Sequence, residues 1–223
     1  VRRQTVDKRY CFSTESSEEL GDTLFGIAAH TFQIDKTKSF FSSDGGNDVK
    51  GIREKNFPKS HYIPDWNHIS RRLNSATVIL DKKEEREDFC NYVREQLWEG
   101  RSKQGIRALE VKQIELENKY PNPTDRQQKQ LMKLTEYLGY LKGFEDHLIN
   151  YKDFQERGLP IGSSEMEGAI DDLIAMRVKK KKGRRFIDAG INGIVGIFCL
   201  SLNKDWTRFF DWKSEKAILT KVS

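Results

Sequence analysis

The chain has 223 residues, 39 Lys or Arg against 34 Asp or Glu, and a formal net charge of +5. That length supports one or two domains with a substantial core. Three widely spaced cysteines (Cys11, Cys90, Cys199) exclude a paired disulfide framework and a cysteine metal motif, and point to reduced thiols in a cytoplasmic setting.

No secretory signal pattern is visible. The longest apolar run, around Ile191 to Leu202, is interrupted by Asn192, Gly193, Gly196 and Ser201 and is too short and polar to span a bilayer. The positive charge is uneven. Residues 177–185 hold seven Lys or Arg and no acid, a patch suited to a polyanion, nucleic acid first and an anionic membrane surface second.

In chain order, Arg9-Tyr10-Cys11-Phe12-Ser13 reads as a short strand. Ser17 with Glu18, then Leu20, Leu24, Phe25 and Ala28, predicts a helix of about three turns. Lys38-Ser39-Phe40-Phe41-Ser42 predicts a buried strand ending in Ser43-Asp44-Gly45-Gly46. An Asp at the carboxyl end of a strand is where an α/β fold exposes a working side chain; Asp-Gly is equally a turn dipeptide. A short helix with Val49 and Ile52 follows. Then come Asn56-Phe57-Pro58, a strand at His61-Tyr62-Ile63-Pro64, and Asp65-Trp66-Asn67-His68. Asp65 is a plausible N-cap, and two side chains three apart at a helix start can meet. Two ligands do not make a zinc site, so Asp65 and His68 read as an orienting or structural pair.

From Ile69 to about Tyr151 apolar residues recur at helical spacing: Phe89, Val93, Leu97; Ile106, Leu109, Ile114; Leu131, Leu134, Leu138, Leu141. Breaks fall at Gly100, at Pro121-Asn122-Pro123, with Thr124 as the next N-cap, and near Gly143. The block predicts an all-helical insertion. Gly158, Pro160 and Gly162 end it. Ser163 and Ser164 then open a helix with Met166, Ala169, Ile170, Leu173 and Ile174 on one face. Ser164-x-x-Glu167 also matches a capping box. The tail predicts a helix with Ile187, Ile191, Ile194, Val195 and Phe198 on one face. Trp206, Phe209 and Trp212 follow at helical spacing and read as core.

Two motif blocks carry a family resemblance. Gly158-Leu-Pro-Ile-Gly162-Ser163 with Glu167, a basic stretch, and Lys182-Gly-Arg-Arg-Phe186 resembles the C-terminal part of DDE-type transposases of bacterial insertion sequences. Ser164 stands where that family usually has Gly, and Phe186 where it usually has Trp. Ser43-Asp44-Gly45, a helix, Phe57-Pro58, a strand and Asp65-x-x-His68 resembles the middle of the same proteins and shares its Asp-x-x-His with Mutator-like transposases.

The resemblance implies an α/β fold: an incomplete RNase H-like catalytic core, its first part at 1–68 and its C-terminal helices at 151–223, interrupted by the helical insertion at 69–150. It implies Asp44 and Glu167 as catalytic, metal-holding carboxylates, with Asp65 and His68 as an accessory motif. Lys179, Lys180, Lys181, Lys182, Arg184 and Arg185 would contact DNA phosphates. Two Mg2+ ions would serve cleavage and strand transfer of transposon-end DNA. The partners implied are transposon-end and target DNA and a homodimer or higher assembly, in a bacterial, nucleoid-associated cytoplasmic location. The first catalytic Asp of the family has no counterpart here, and the chain starts at Val1. The expectation is therefore an N-terminally truncated polypeptide, inactive alone. Two other readings stay open: a catalytically inactive DNA-binding remnant, and a helical interaction protein in which Glu167 only caps a helix.

Overall fold

In the computed structural model, residues 8–13, 15–163, 168 and 188–222 are described. Strands β1 (Phe40–Ser43) and β2 (His61–Pro64) pair in parallel, with Phe40 opposite His61 and Ser43 opposite Pro64. The chain between them contains helix α2 (Asn47–Asn56). Parallel strands need such a crossover, because no hairpin can join them.

The expected α/β, RNase H-like core is overturned. The chain is mostly helical, and the sheet found among the described residues has two strands of four residues each. The physical reason lies in the apolar spacing. From Trp66 to Gly143 buried positions recur at three- and four-residue steps, which only helices can bury on one face. Among the described residues strands form at two short runs. Residues 9–13, expected as a strand, form no strand. Instead the Tyr10 N–H and C=O are both taken by the side-chain amide of Asn203, at 2.8 and 2.9 Å.

The chain divides into two compact units. The first comprises Phe40–Gly46 and His61–Ser163, hence the strand pair followed by α3 (Trp66–Ala76), α4 (Lys83–Trp98), α5 (Ser102–Lys119), α6 (Asp125–Gly143) and α7 (Tyr151–Glu156). α3 packs on α6, α4 on α5, and α5 on α6. Ile63, Ile69, Leu73, Val93, Leu97, Leu109, Leu134 and Leu141 share one core. Thr124 caps α6 as expected, in a full capping box with Gln127. Two buried tyrosines fix the helices: Tyr151 donates to the Pro64 carbonyl at the end of β2 (3.0 Å), and Tyr137 of α6 to the Ile69 carbonyl of α3 (3.1 Å). Trp66 packs against Trp98 and Tyr151, with ring centroids 4.8 and 5.0 Å away.

The second unit contains α1 (Ser17–Phe32), α2, α8 (Asp188–Asn203) and α9 (Trp206–Val222). Ser16, one residue before the expected start, caps α1 through the Glu19 N–H. α1 approaches α2 closely at Gly21, where a Cβ would lie 2.5 Å from the Asn56 amide oxygen. Val195 and Cys199 of α8 are buried with Tyr10, Phe12, Ile191 and Leu202. The core reading of the α9 aromatics does not hold. Trp206 and Trp212 are exposed, and Trp206 stacks on exposed Phe210 at 6.1 Å.

Candidate functional site

The carboxyl ends of β1 and β2 lie side by side, and each carries an acid. After β1 the chain turns at Asp44. Its Oδ1 accepts the Gly46 N–H at 3.2 Å, while the Ser43 hydroxyl accepts the Gly45 N–H at 3.2 Å. Gly45 is obligatory in this turn. Its φ is +88°, and a Cβ there would lie 2.3 Å from the Phe144 ring. Tyr140 of α6 donates its hydroxyl to the Asp44 carbonyl at 3.2 Å. The Asp-Gly pair is thus both a turn and a presentation device, holding the Asp44 side chain exposed beyond the strand end.

Asp65 plays a different part. Its N–H donates to the Ser43 carbonyl at 2.9 Å, which carries the parallel pairing one residue past β2. The side chain is 2% exposed. Oδ1 accepts the His68 N–H at 2.8 Å and caps α3. Oδ2 accepts the Ser163 N–H at 2.6 Å and also the Ser163 hydroxyl. Burial alone would raise this carboxyl's pKa. The donors from Ser163, His68 and Asn67 outweigh burial and hold it below the usual carboxylate range. The Trp66 N–H donates to the Ile161 carbonyl at 3.0 Å. At Gly162 a Cβ would lie 3.2 Å from three atoms of the Asp65 carboxylate, so a side chain there would press on the anion.

The structure therefore brings together two sequence blocks 98 residues apart: Asp65-x-x-His68, and the Gly162-Ser163 pair. The Asp44 turn is on the neighbouring strand end. Asp65 and His68 do not meet through their side chains; the carboxylate takes the His68 backbone N–H. The His68 ring lies 6.1 Å from Tyr140, and its Nε2 is buried without a hydrogen-bond partner among the described residues. Over the Tyr140 ring sits the Arg72 guanidinium, 4.4 Å from the centroid. Glu167, Lys179, Lys180, Lys181, Lys182, Arg184 and Arg185 lie outside the described residues, as do Ser164 and Phe186. The helix that Ser163 and Ser164 are expected to cap lies outside the described residues; Ser163 itself donates its N–H and hydroxyl to Asp65.

Asp44 suits a hard cation: it is exposed, and its second oxygen accepts no hydrogen bond from a described residue. Asp65 does not suit one, since both of its oxygens are engaged by protein donors. Among the described residues no three His, Cys, Asp or Glu side chains group to hold a metal ion. Nor, among them, is any helix long and apolar enough to cross a membrane.

Tyr140, Arg72, and the role of Ser163 as a partner of Asp65 were not legible as site features. Arg72 follows His68 by four positions, which places both on one face of α3. That spacing was visible in the sequence; the Tyr140 ring that makes it meaningful is a tertiary neighbour. Comparison with family models, with curated proteins and with solved structures gives no match for this chain.

Proposed function

We infer that the chain belongs to a DNA-cutting and DNA-joining enzyme of the DDE-transposase kind, with Asp44 and Glu167 as two of its catalytic carboxylates. The observation that carries this reading is the contact between Asp65 and Ser163. It seats the Gly-Ser start of one motif block on the acid of the other, beside the Asp44 turn. In this reading Glu167, four positions beyond Ser163, completes the carboxylate set begun by Asp44. Magnesium ions held by these acids would stabilise charge on the attacking and leaving oxygens of a phosphodiester.

The chain's own groups do the positioning. Gly45 and Tyr140 fix the turn that presents Asp44, and Asp65 fixes the entry to the Glu167 segment. The cations at Lys179, Lys180, Lys181, Lys182, Arg184 and Arg185 supply phosphate contacts that hold DNA without reading bases. Partner DNA would be transposon ends and target, with the protein assembled as a dimer or larger and associated with the nucleoid.

The test is divalent-metal-dependent nicking of transposon-end DNA by a version that includes the first catalytic acid of the family. Asp44→Ala and Glu167→Gln should each reduce nicking by a factor of a hundred or more on the order of magnitude expected for lost transition-state charge stabilisation. Full activity in either variant refutes the assignment. A second reading, DNA binding without cutting, draws support from the full engagement of Asp65 in structural hydrogen bonds. It predicts salt-dependent binding that is lost on neutralising Lys179–Lys182 and indifferent to Asp44 and Glu167.

A further inference from the structure

The geometry points to Arg72 as a phosphate grip at the Asp44 site, with Tyr140 as the platform that aims it. This rests on the nucleic-acid reading above and goes beyond it, since Arg72 lies far from the basic run at 177–185 in sequence and belongs to no motif.

Several exposed cations of the first unit, Arg107, Lys142, Lys152 and Arg157 among them, are each bonded to an Asp or Glu. Others, such as Lys103 and Arg126, pair with no described acid and lie on no aromatic that reaches the Asp44 turn. Arg72 is exposed and makes no ion pair with any described residue. Its guanidinium instead lies 4.4 Å from the centre of the Tyr140 ring. A cation over an aromatic face is attracted by the negative charge of the ring face and leaves its N–H donors unspent. Those donors form a planar fork that matches two phosphate oxygens.

The platform itself is fixed. Tyr140 packs against Phe144 at 5.0 Å and donates its hydroxyl to the Asp44 carbonyl. One aromatic side chain thus touches both the turn that presents the acid and the guanidinium. Asp44 and Arg72 are held on either end of the same rigid contact. A phosphodiester approaching Asp44 would carry negative charge into a region where Asp44 alone would repel it; Arg72 offsets that repulsion.

The experiment measures binding of a fluorescein-labelled, mixed-sequence DNA duplex to the whole chain by anisotropy across a salt series. Arg72→Gln should weaken binding about tenfold at moderate salt and lower the salt slope by about one phosphate contact. Arg72→Lys should restore the slope but not the full affinity, because an ammonium lacks the fork. Tyr140→Leu should weaken binding in the same direction while Arg72 keeps its charge. Lys119→Gln removes a comparable cation, one lying 5.0 Å over Tyr120, and should bind as the unaltered chain does. Unchanged affinity and slope for Arg72→Gln would overturn the inference, as would absence of DNA binding by the unaltered chain. The nicking assay separates the two claims. If Asp44→Ala keeps full nicking while Arg72→Gln loses affinity, the catalytic reading fails and the grip stands. If Asp44→Ala abolishes nicking while Arg72→Gln binds normally, the grip alone fails.

Discussion

Replacing Asp65 by Asn exchanges one oxygen for an amide nitrogen, and the structure says which of its bonds survive. Asn is as good an N-cap as Asp, so its oxygen can keep the His68 N–H. The amide nitrogen then faces Ser163, whose N–H now has a donor opposite it and no acceptor. The Ser163 hydroxyl can rotate to accept from the amide, so only part of that contact is recovered. A hydrogen bond to a charged acceptor contributes about 1.5–3 kcal/mol, and a buried donor left unpaired costs about 1–3 kcal/mol.

Because both Ser163 bonds share one oxygen, they do not add. The net loss expected is about 2–3 kcal/mol, with Ser163→Ala costing about 1–2 kcal/mol for the hydroxyl alone. Urea unfolding followed by Trp66 and Trp98 fluorescence, with Trp206 and Trp212 replaced by Phe, reports on the unit that holds the contact. The double variant should show coupling of about 1 kcal/mol or more between the two positions. A loss below about 0.5 kcal/mol for Asp65→Asn, or strict additivity with Ser163→Ala, refutes the reasoning.

The same carboxylate sets an acid dependence. Its folded pKa lies below the unfolded value of about 3.9, so the unfolded chain takes up the proton first. Its stabilisation is complete above that value and lost as pH falls through the lowered folded pKa. Urea midpoints between neutral pH and strong acid should fall more steeply for the unaltered chain than for Asp65→Asn. Burial raises the phenols of Tyr137, Tyr140 and Tyr151. Here the sign is reversed: stability is complete below the unfolded phenol value of about 10 and declines above it. Ultraviolet titration should show these tyrosines ionising late, together with alkaline unfolding. Gly45→Ala must place a Cβ against Phe144 at positive φ, and should cost about 3 kcal/mol in a thermal or urea melt. Gly162→Ala crowds the Asp65 carboxylate less severely and should cost about 1 kcal/mol.

Helix positions were legible because their signals are local. The spacing of Val93 and Leu97 or of Leu134, Leu138 and Leu141, and the Thr124 cap, depend on residues within a turn or two. The two strands were legible as well, as short apolar runs between turn residues. The size of the sheet was not. A run such as Tyr10-Cys11-Phe12 has strand-like residues, yet strand formation needs a partner backbone. Here the Asn203 side chain supplies the hydrogen bonds that a strand would have offered. The aromatics of α9 misled for a related reason: helical spacing shows that side chains share a face, not that anything covers it.

The sequence by itself determined the order of helices, the Asp-Gly turn at 44–45, the cap at Asp65 and the presence of two motif blocks. Tertiary structure decided that Asp65 holds Ser163 and that Tyr140 joins the Asp44 turn to Arg72. Both depend on backbone groups brought into hydrogen-bond reach, at 2.6 and 3.2 Å, across long stretches of chain. Such contacts follow from how the helices pack, which no local pattern of residues encodes.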